Sequence, residues 1–467
     1  MSGESSAETV KLPVLTKLAF GVGDLGPAII TAVNGFFLPA FLLEVARLSP
    51  YAVAAIFLIV KAWDAVNDPV MGTLSDRTNT RWGRRRPWLL FGAIPLGIAF
   101  FLHWVVPDLG ETGKFIYYLV VALLLDTAFT AVNVAYVALT PELTTDYNER
   151  TSLNSYRFSF SILGGVFAAF LHSEIVRQFQ DPLVGNMVSA AIWAFFITVP
   201  NFITFAFTRE THERVEGEAQ MGFFEGLKIV FSNRAFVYVT QIYLLSWLCI
   251  QFVQTNLLLY VKYWIGPKGE EKFGLLILGI QVSAFVFVLI WAKVSERIGK
   301  KNVYYIGMTF WILVEIALFF LPRGEGGLTW LYVLAPLAGV GVAIGFLIPW
   351  SMLPDVIELD ELETGQRREG IYYGFFVFLQ KLGVALGIAF SSAMLGYVGY
   401  NVDLAQQPDA VLTTLRFFVS LAPAVILLIS FVPVALYPIT QARHSEILAE
   451  LAKRRARPEA NAGGGGA

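Results

Sequence analysis

The chain has 467 residues, of which 56% are hydrophobic, 15% charged and 15% aromatic, and its mean hydropathy is +0.61. Soluble globular domains carry roughly 25% Asp, Glu, Lys and Arg, so this composition excludes a soluble enzyme and a disordered scaffold and describes a surface built for lipid. A net charge of −2 leaves no basic field for nucleic acid, and the single cysteine, Cys249, excludes an intramolecular disulfide or a cysteine-based metal site.

Residues 1–17 are polar and mixed in charge, and read as an N-terminal segment without a cleavable signal peptide. Apolar runs then follow near 18–43, 51–74, 88–107, 115–140, 157–177, 187–207, 235–264, 273–294, 302–321, 328–352, 370–399 and 410–438. Each has about the 20 residues that a ~30 Å hydrocarbon core requires. Twelve such runs predict an all-α polytopic membrane protein. The runs are too long and unbroken for the alternating ten-residue strands of an outer-membrane barrel.

Charges inside these runs are the chief functional signal. Span 1 holds Asp24 among glycines. Span 2, IFLIVKAWDAVNDPVMG, places Lys61, Asp64 and Asp68 at i, i+3 and i+7, on one helix face. Each such charge near a bilayer centre costs on the order of 2.5–3.5 kcal/mol on the lenient insertion scale. Two carboxylates one turn apart repel, so in a dry cavity they hold a proton, a metal cation or a neighbouring lysine. A static Lys61 ion pair is the plain alternative; it accounts for one acid and leaves the other over. Span 4 offers Asp126, Thr130 and Asn133 at i, i+4 and i+7, with neutral oxygens suited to Na⁺. Hydrogen bonding between helices is the competing use of those residues.

Span 7 carries Gln241, Gln251, Gln254 and Asn256, and span 9 carries Glu315, all read chiefly as packing groups. Gly339, Gly341 and Gly345 in span 10 permit close helix approach. Lys381 lies deep in span 11 with no acidic neighbour on its own helix, so its counter-charge is expected from another helix, the span-2 acids being the candidates. The final segment 439–467, ending in a glycine run, reads as a flexible tail.

Loop motifs recur at a fixed offset. Asp76-Arg77 after span 2 and Glu296-Arg297 after span 8 are 220 residues apart; Pro141-Glu142 after span 4 and Pro354-Asp355 after span 10 are 213 apart. The repeat predicts two six-helix halves, 18–207 and 235–438, joined by a linker over 208–234. Of the 34 basic residues, 24 fall in one set of loops, seven at the opposite face, and three within spans (Lys61, Lys381 and Arg416). The positive-inside rule makes the rich face cytoplasmic, and an even span number puts both termini there, in a cell membrane.

The strings WDAVNDPVMG, SDRTNTRWGRRRPW, ERTSLNSYR and LPDVIELDELETGQRREGIYYGFFVFLQKLG resemble the glycoside–pentoside–hexuronide:cation symporters, a melibiose permease-like family of the major facilitator superfamily. The resemblance runs from about Leu18 to Pro438. It implies the major facilitator fold and Na⁺ or H⁺ held by Asp64 and Asp68 with Thr130 assisting; the span-4 spacing adds Asn133 to the cation-binding set, and no cofactor and a working monomer are expected. The resemblance implies further that Lys381 stands near cation and sugar. Asp24, Lys61, Asp126, Asn133, Arg157 and Lys381 are the candidate substrate residues. The family's acidic sugar clamps fall at Ala28 and Asn133, its tryptophan at Val137 and its arginine at Phe158, beside Arg157, so the galactoside pocket does not carry over. The first half also resembles animal lysophosphatidylcholine:Na⁺ symporters, through GFFLPAFLLEVA, KAWDAVNDP and HWVVPD.

The expectation is a secondary transporter, not an enzyme, coupling Na⁺ or H⁺ to uptake of a sugar or glycoside by alternating access. A cation entering between Asp64, Asp68 and Thr130 releases Lys381 or Lys61 from pairing, and the loop pairs Asp76/Arg77 and Glu296/Arg297 act as gates. The alternative cargo is a lysophospholipid or other amphiphile. A remote alternative, a Mg²⁺-dependent intramembrane prenyltransferase using Asp64-x-x-x-Asp68, needs a second acidic motif; Asp355, Glu358 and Asp360 lie in a segment better suited to a gate.

Overall fold

In a computed structural model of the chain, the structure describes residues 11–144, 146–210, 223–366 and 368–462. Among them the regular structure is helical throughout. The chain divides into two compact units. The first is Met1–Gly217 with Phe273–Leu278 and Tyr400–Ala405; the second is Glu218–Lys272, Gly279–Gly399 and Gln406–Ala467.

The first unit holds α1 (Val14–Val22), α2 (Leu25–Glu44), α3 (Pro50–Arg77), α4 (Arg86–Leu102), α5 (Glu111–Leu143), α6 (Tyr147–Arg177) and α7 (Pro182–Phe207). Their starts follow from local chemistry. Ser49, Asp146 and Asp181 each accept a hydrogen bond from a backbone N–H of the first turn, and proline opens α3 and α7, where a missing N–H costs nothing. Span 1, expected to be continuous, breaks at Gly23 and Asp24. The backbone there passes so close to its neighbours that a Cβ on Gly23 would stand 2.5 Å from Tyr136 Cε2 and 2.7 Å from the Thr204 hydroxyl.

The second unit holds α8 (Phe223–Ser232), α9 (Arg234–Tyr260), which continues as a π turn (Val261–Ile265), α10 (Pro267–Glu271), α11 (Phe273–Ile298) from Gly279 onward, and α12 (Lys300–Phe319). After these come α13 (Glu325–Thr364), α14 (Glu369–Tyr397), α15 (Asp409–Val419), α16 (Leu421–Leu436) and α17 (Gln441–Ala462). Among the described residues ten helices, counting α1–α2, α9 with its π turn, and α15–α16 as one each, are long and apolar enough to cross a membrane. To these add α4, of 17 residues, and α3, 28 residues long and interrupted by Lys61, Asp64 and Asp68. Their outward faces remain greasy: Phe91 is 63% and Phe195 59% exposed, which suits lipid contact.

Three expectations need correction. Pro141-Glu142 and Pro354-Asp355 do not open loops; they lie inside α5 and α13, the latter running 40 residues to Gly365, whose φ of 73° ends it. Glu142 and Asp355 are buried and ion-paired, so the chain around them is not a solvated loop. Residues 441–462 form α17 rather than a flexible tail, because Ile447 and Leu451 are buried and Arg454 donates to the Leu362 carbonyl at 2.6 Å. The linker over 208–234 contains α8; its residues 211–222, with Arg367, residues 1–10 and the terminal glycine run, lie outside the described residues.

Candidate cation and substrate site

The ionic face of α3 is met by α5. Lys61 Nζ lies 3.0 Å from Asp64 Oδ2 and 4.0 Å from Asp126 Oδ1, so one ammonium stands between carboxylates of two helices. One turn further along, the Thr130 hydroxyl donates to Asp68 Oδ1 at 3.1 Å. Asp64 and Thr130 are buried, while Asp68, Asp126 and Lys61 are half-buried. The structure therefore joins Lys61, Asp64 and Asp126 in one ionic network and places the Asp68–Thr130 contact between the same two helices. Asn133 lies one turn beyond Thr130 on α5, half-buried.

The network contains a residue the sequence reading missed. Asn67, 2% exposed, donates through Nδ2 to the Asp126 carbonyl at 3.5 Å and to Asp126 Oδ2 at 3.4 Å. Its one sequence cue, an amide between two acids on a span already carrying three charges, did not separate binding from packing. Trp63 Nε1 adds a bond to Thr127 Oγ1 at 2.9 Å. Two carboxylates and a hydroxyl on adjacent turns form a hard-oxygen set suited to a small cation or a proton.

A second ionic pair sits at the α1–α2 break. Asp24, 4% exposed, lies 3.2 Å from Arg157 Nε on α6. The guanidinium also stands over the rings of Tyr136 and Phe158, at 5.6 and 5.5 Å, and Tyr136 is fixed by donating to the Phe20 carbonyl at 2.7 Å. Sequence reasoning nominated Asp24 and Arg157 separately; their pairing is a structural finding.

In the second unit Lys381 is half-buried on α14. Three of the other polar residues there have partners one turn away on their own helices. Trp311 Nε1 donates to Glu315 at 2.6 Å, Gln251 to Thr255 at 2.8 Å, and Asn256 to the Phe252 carbonyl at 2.8 Å.

The gating candidates are arranged differently from their spacing. Asp76 pairs with Arg85, which also donates to Ser75 at 2.8 Å, whereas Arg77 is exposed. Arg84 pairs with Glu142, and the Glu210 carboxylate accepts the backbone N–H groups of Arg84, Arg85 and Arg86 at 2.7, 2.8 and 3.0 Å. Glu296 and Arg297 are both exposed. In the second unit Lys300 pairs with Asp355 at 2.7 Å and Arg368 with Asp360 at 2.6 Å, with His444 Nε2 2.6 Å from Glu358. The Asp360 carboxylate, by hydrogen bonding, raises the Arg368 pKa above the ordinary arginine value.

The profile of the family described as MFS/sugar transport protein matches residues 19–441. The chain belongs to that family. Two relatives extend the picture. An uncharacterised symporter of Synechocystis sp. is 36% identical, covering 97% of this chain and 99% of the relative. The sodium-dependent lysophosphatidylcholine symporter 1-A of Danio rerio is 32% identical, covering 92% and 87%. Among solved structures, the nucleoside transporter NupG superimposes with a TM-score of 0.63 at 15% identity, over 91% of this chain and 100% of that one. That likeness shows the all-α major facilitator fold. This family member is thus a multi-pass membrane protein of a transporter family rather than an enzyme.

Proposed function

We propose that the protein is a Na⁺-coupled symporter of a lysophospholipid-like amphiphile, working by alternating access with both termini cytoplasmic. The observation that carries the coupling is the Asp64, Asp68 and Thr130 oxygen set, with Lys61 bonded to one of its acids. Na⁺ occupies that set, with Asn133 one turn beyond Thr130 as a further oxygen ligand, and Lys381 serves substrate binding. Exposed Arg77, Glu296 and Arg297 form gating contacts during the cycle, while Asp76 is held by Arg85.

Cargo is the finer question, and the comparisons favour the amphiphile over the sugar that sequence reasoning put first. A relative named for sodium-dependent lysophosphatidylcholine symport matches nearly the whole chain. The Asp24–Arg157 pair offers one charge of each sign to a zwitterionic head group. A sugar is kept as the second reading because the family description itself names sugar transport.

Purified protein in proteoliposomes, offered labelled lysophosphatidylcholine, sugars and glycosides with an inward Na⁺ or proton gradient, tests this. Na⁺-stimulated lysophosphatidylcholine uptake is expected. Na⁺-stimulated uptake of sugars alone overturns the amphiphile reading, and uptake indifferent to both gradients overturns coupling.

A further inference from the structure

We infer that Asp126 is the acceptor that receives the Lys61 ammonium when a cation takes Asp64. The inference rests on the cation-site reading above and assigns a positioning role to a residue that does not itself ligate the ion.

Asp64 has two suitors. Its carboxylate is held by Lys61 at 3.0 Å, yet it is one of the two acids placed to bind the coupling ion. For Na⁺ to bind there, Lys61 must let go. An ammonium released without a partner inside the membrane is heavily penalised, because neither water nor a counter-charge replaces what it lost. Asp126 removes that obstacle. Its Oδ1 faces Lys61 at 4.0 Å, so a movement of about 1 Å converts a loose contact into a close ion pair.

The acceptor is oriented for this. Asn67 Nδ2 donates to the other oxygen, Oδ2, at 3.4 Å and to the Asp126 carbonyl at 3.5 Å, which fixes the carboxylate plane with Oδ1 turned to the lysine. Asn67 sits on α3 between Asp64 and Asp68, so the acceptor is tied to the helix carrying the ion ligands. Lys61 thus shuttles between two carboxylates and acts as a tethered competitor of the coupling ion. The apparent Na⁺ affinity then depends on how well Asp126 stabilises the displaced ammonium.

The test is a double-mutant cycle read as the Na⁺ concentration giving half-maximal stimulation of uptake in proteoliposomes. Asp126→Asn is expected to raise that concentration by roughly tenfold. Lys61→Gln removes the competitor, so adding it to Asp126→Asn restores a value within about threefold of Lys61→Gln alone. A merely structural role for Asp126 predicts no such rescue, and a double variant as impaired as Asp126→Asn overturns the inference. So does an Asp126→Asn protein with the parental Na⁺ dependence. Should Asp126→Asn not reach the membrane, Asp126→Glu, which keeps an acceptor on a longer arm, is expected to retain Na⁺ stimulation, and its loss there counts against the shuttle. Asp68→Asn separates the two levels. If Asp68→Asn keeps full Na⁺ stimulation, the cation-site reading fails; if it loses stimulation while Asp126→Asn is unaffected, only the shuttle fails.

Discussion

Thr130 contributes a neutral oxygen to a span-2 acid, its hydroxyl bonded to Asp68 at 3.1 Å from the neighbouring helix. Replacing it with valine keeps the shape and removes a hydrogen bond to a charged group, an interaction of about 1.5–3 kcal/mol. Thr130→Val is therefore expected to raise the half-saturating Na⁺ concentration roughly tenfold, and Thr130→Ser to leave it near the parental value; Na⁺-dependent uptake at graded Na⁺ measures both. The ionic residues of this site were legible because the chain has so few charges in apolar runs that each stands out. Asn67 was not, since an amide in a span is as common in packing as in binding, and only its bond to Asp126 reveals its place. The gating residues are arranged differently from their spacing for a geometric reason. Asp76 and Arg77 are consecutive on α3, as Glu296 and Arg297 are on α11, and consecutive helical side chains point about 100° apart. Asp76 finds Arg85 across a turn instead, at a helix start shaped by Gly83, whose φ is 101°.

At the scale of elements, apolar runs located the membrane-length helices but misjudged where several stop. The prolines in Pro141-Glu142 and Pro354-Asp355 read as loop starts because proline interrupts the hydrogen-bond ladder. The structure instead carries α5 and α13 past them and buries the acids that follow, Glu142 against Arg84 and Asp355 against Lys300. The offset detected between those motifs thus marks a repeated ion pair in each unit, formed by a base near the start of one helix and an acid near the end of the next. The terminal helix α17 was hidden for another reason. Among its described side chains the buried ones are Ile447 and Leu451, too few to create an apolar period in a segment otherwise polar. That sparse anchoring makes Ile447, fully buried, the sensitive point. Ile447→Ala is expected to cost about 2 kcal/mol of α17 docking and to speed proteolysis of α17, with Na⁺-coupled uptake retained. A parental proteolysis rate contradicts the docking seen here.

For the whole molecule, composition predicted a membrane protein and the charge count predicted its orientation, while the fold is shown by the family match over residues 19–441 and by likeness to a solved transporter. Cargo was the least legible property. Aromatic and apolar side chains line a path for a sugar or an acyl chain alike, and the resemblance to sugar carriers lapsed at Ala28 and Asn133, where their acidic clamps stand. In the proposed mechanism the acid pair on α3 links cargo to energy, and its removal gives the most direct measurement. Lysophosphatidylcholine uptake driven by an inward Na⁺ gradient should be compared in proteoliposomes of the parent and of Asp68→Asn, with equal amounts of folded protein. Na⁺-stimulated uptake by the parent, abolished in Asp68→Asn, is the expected result. Equal stimulation of both proteins by Na⁺ contradicts a coupling site at this pair.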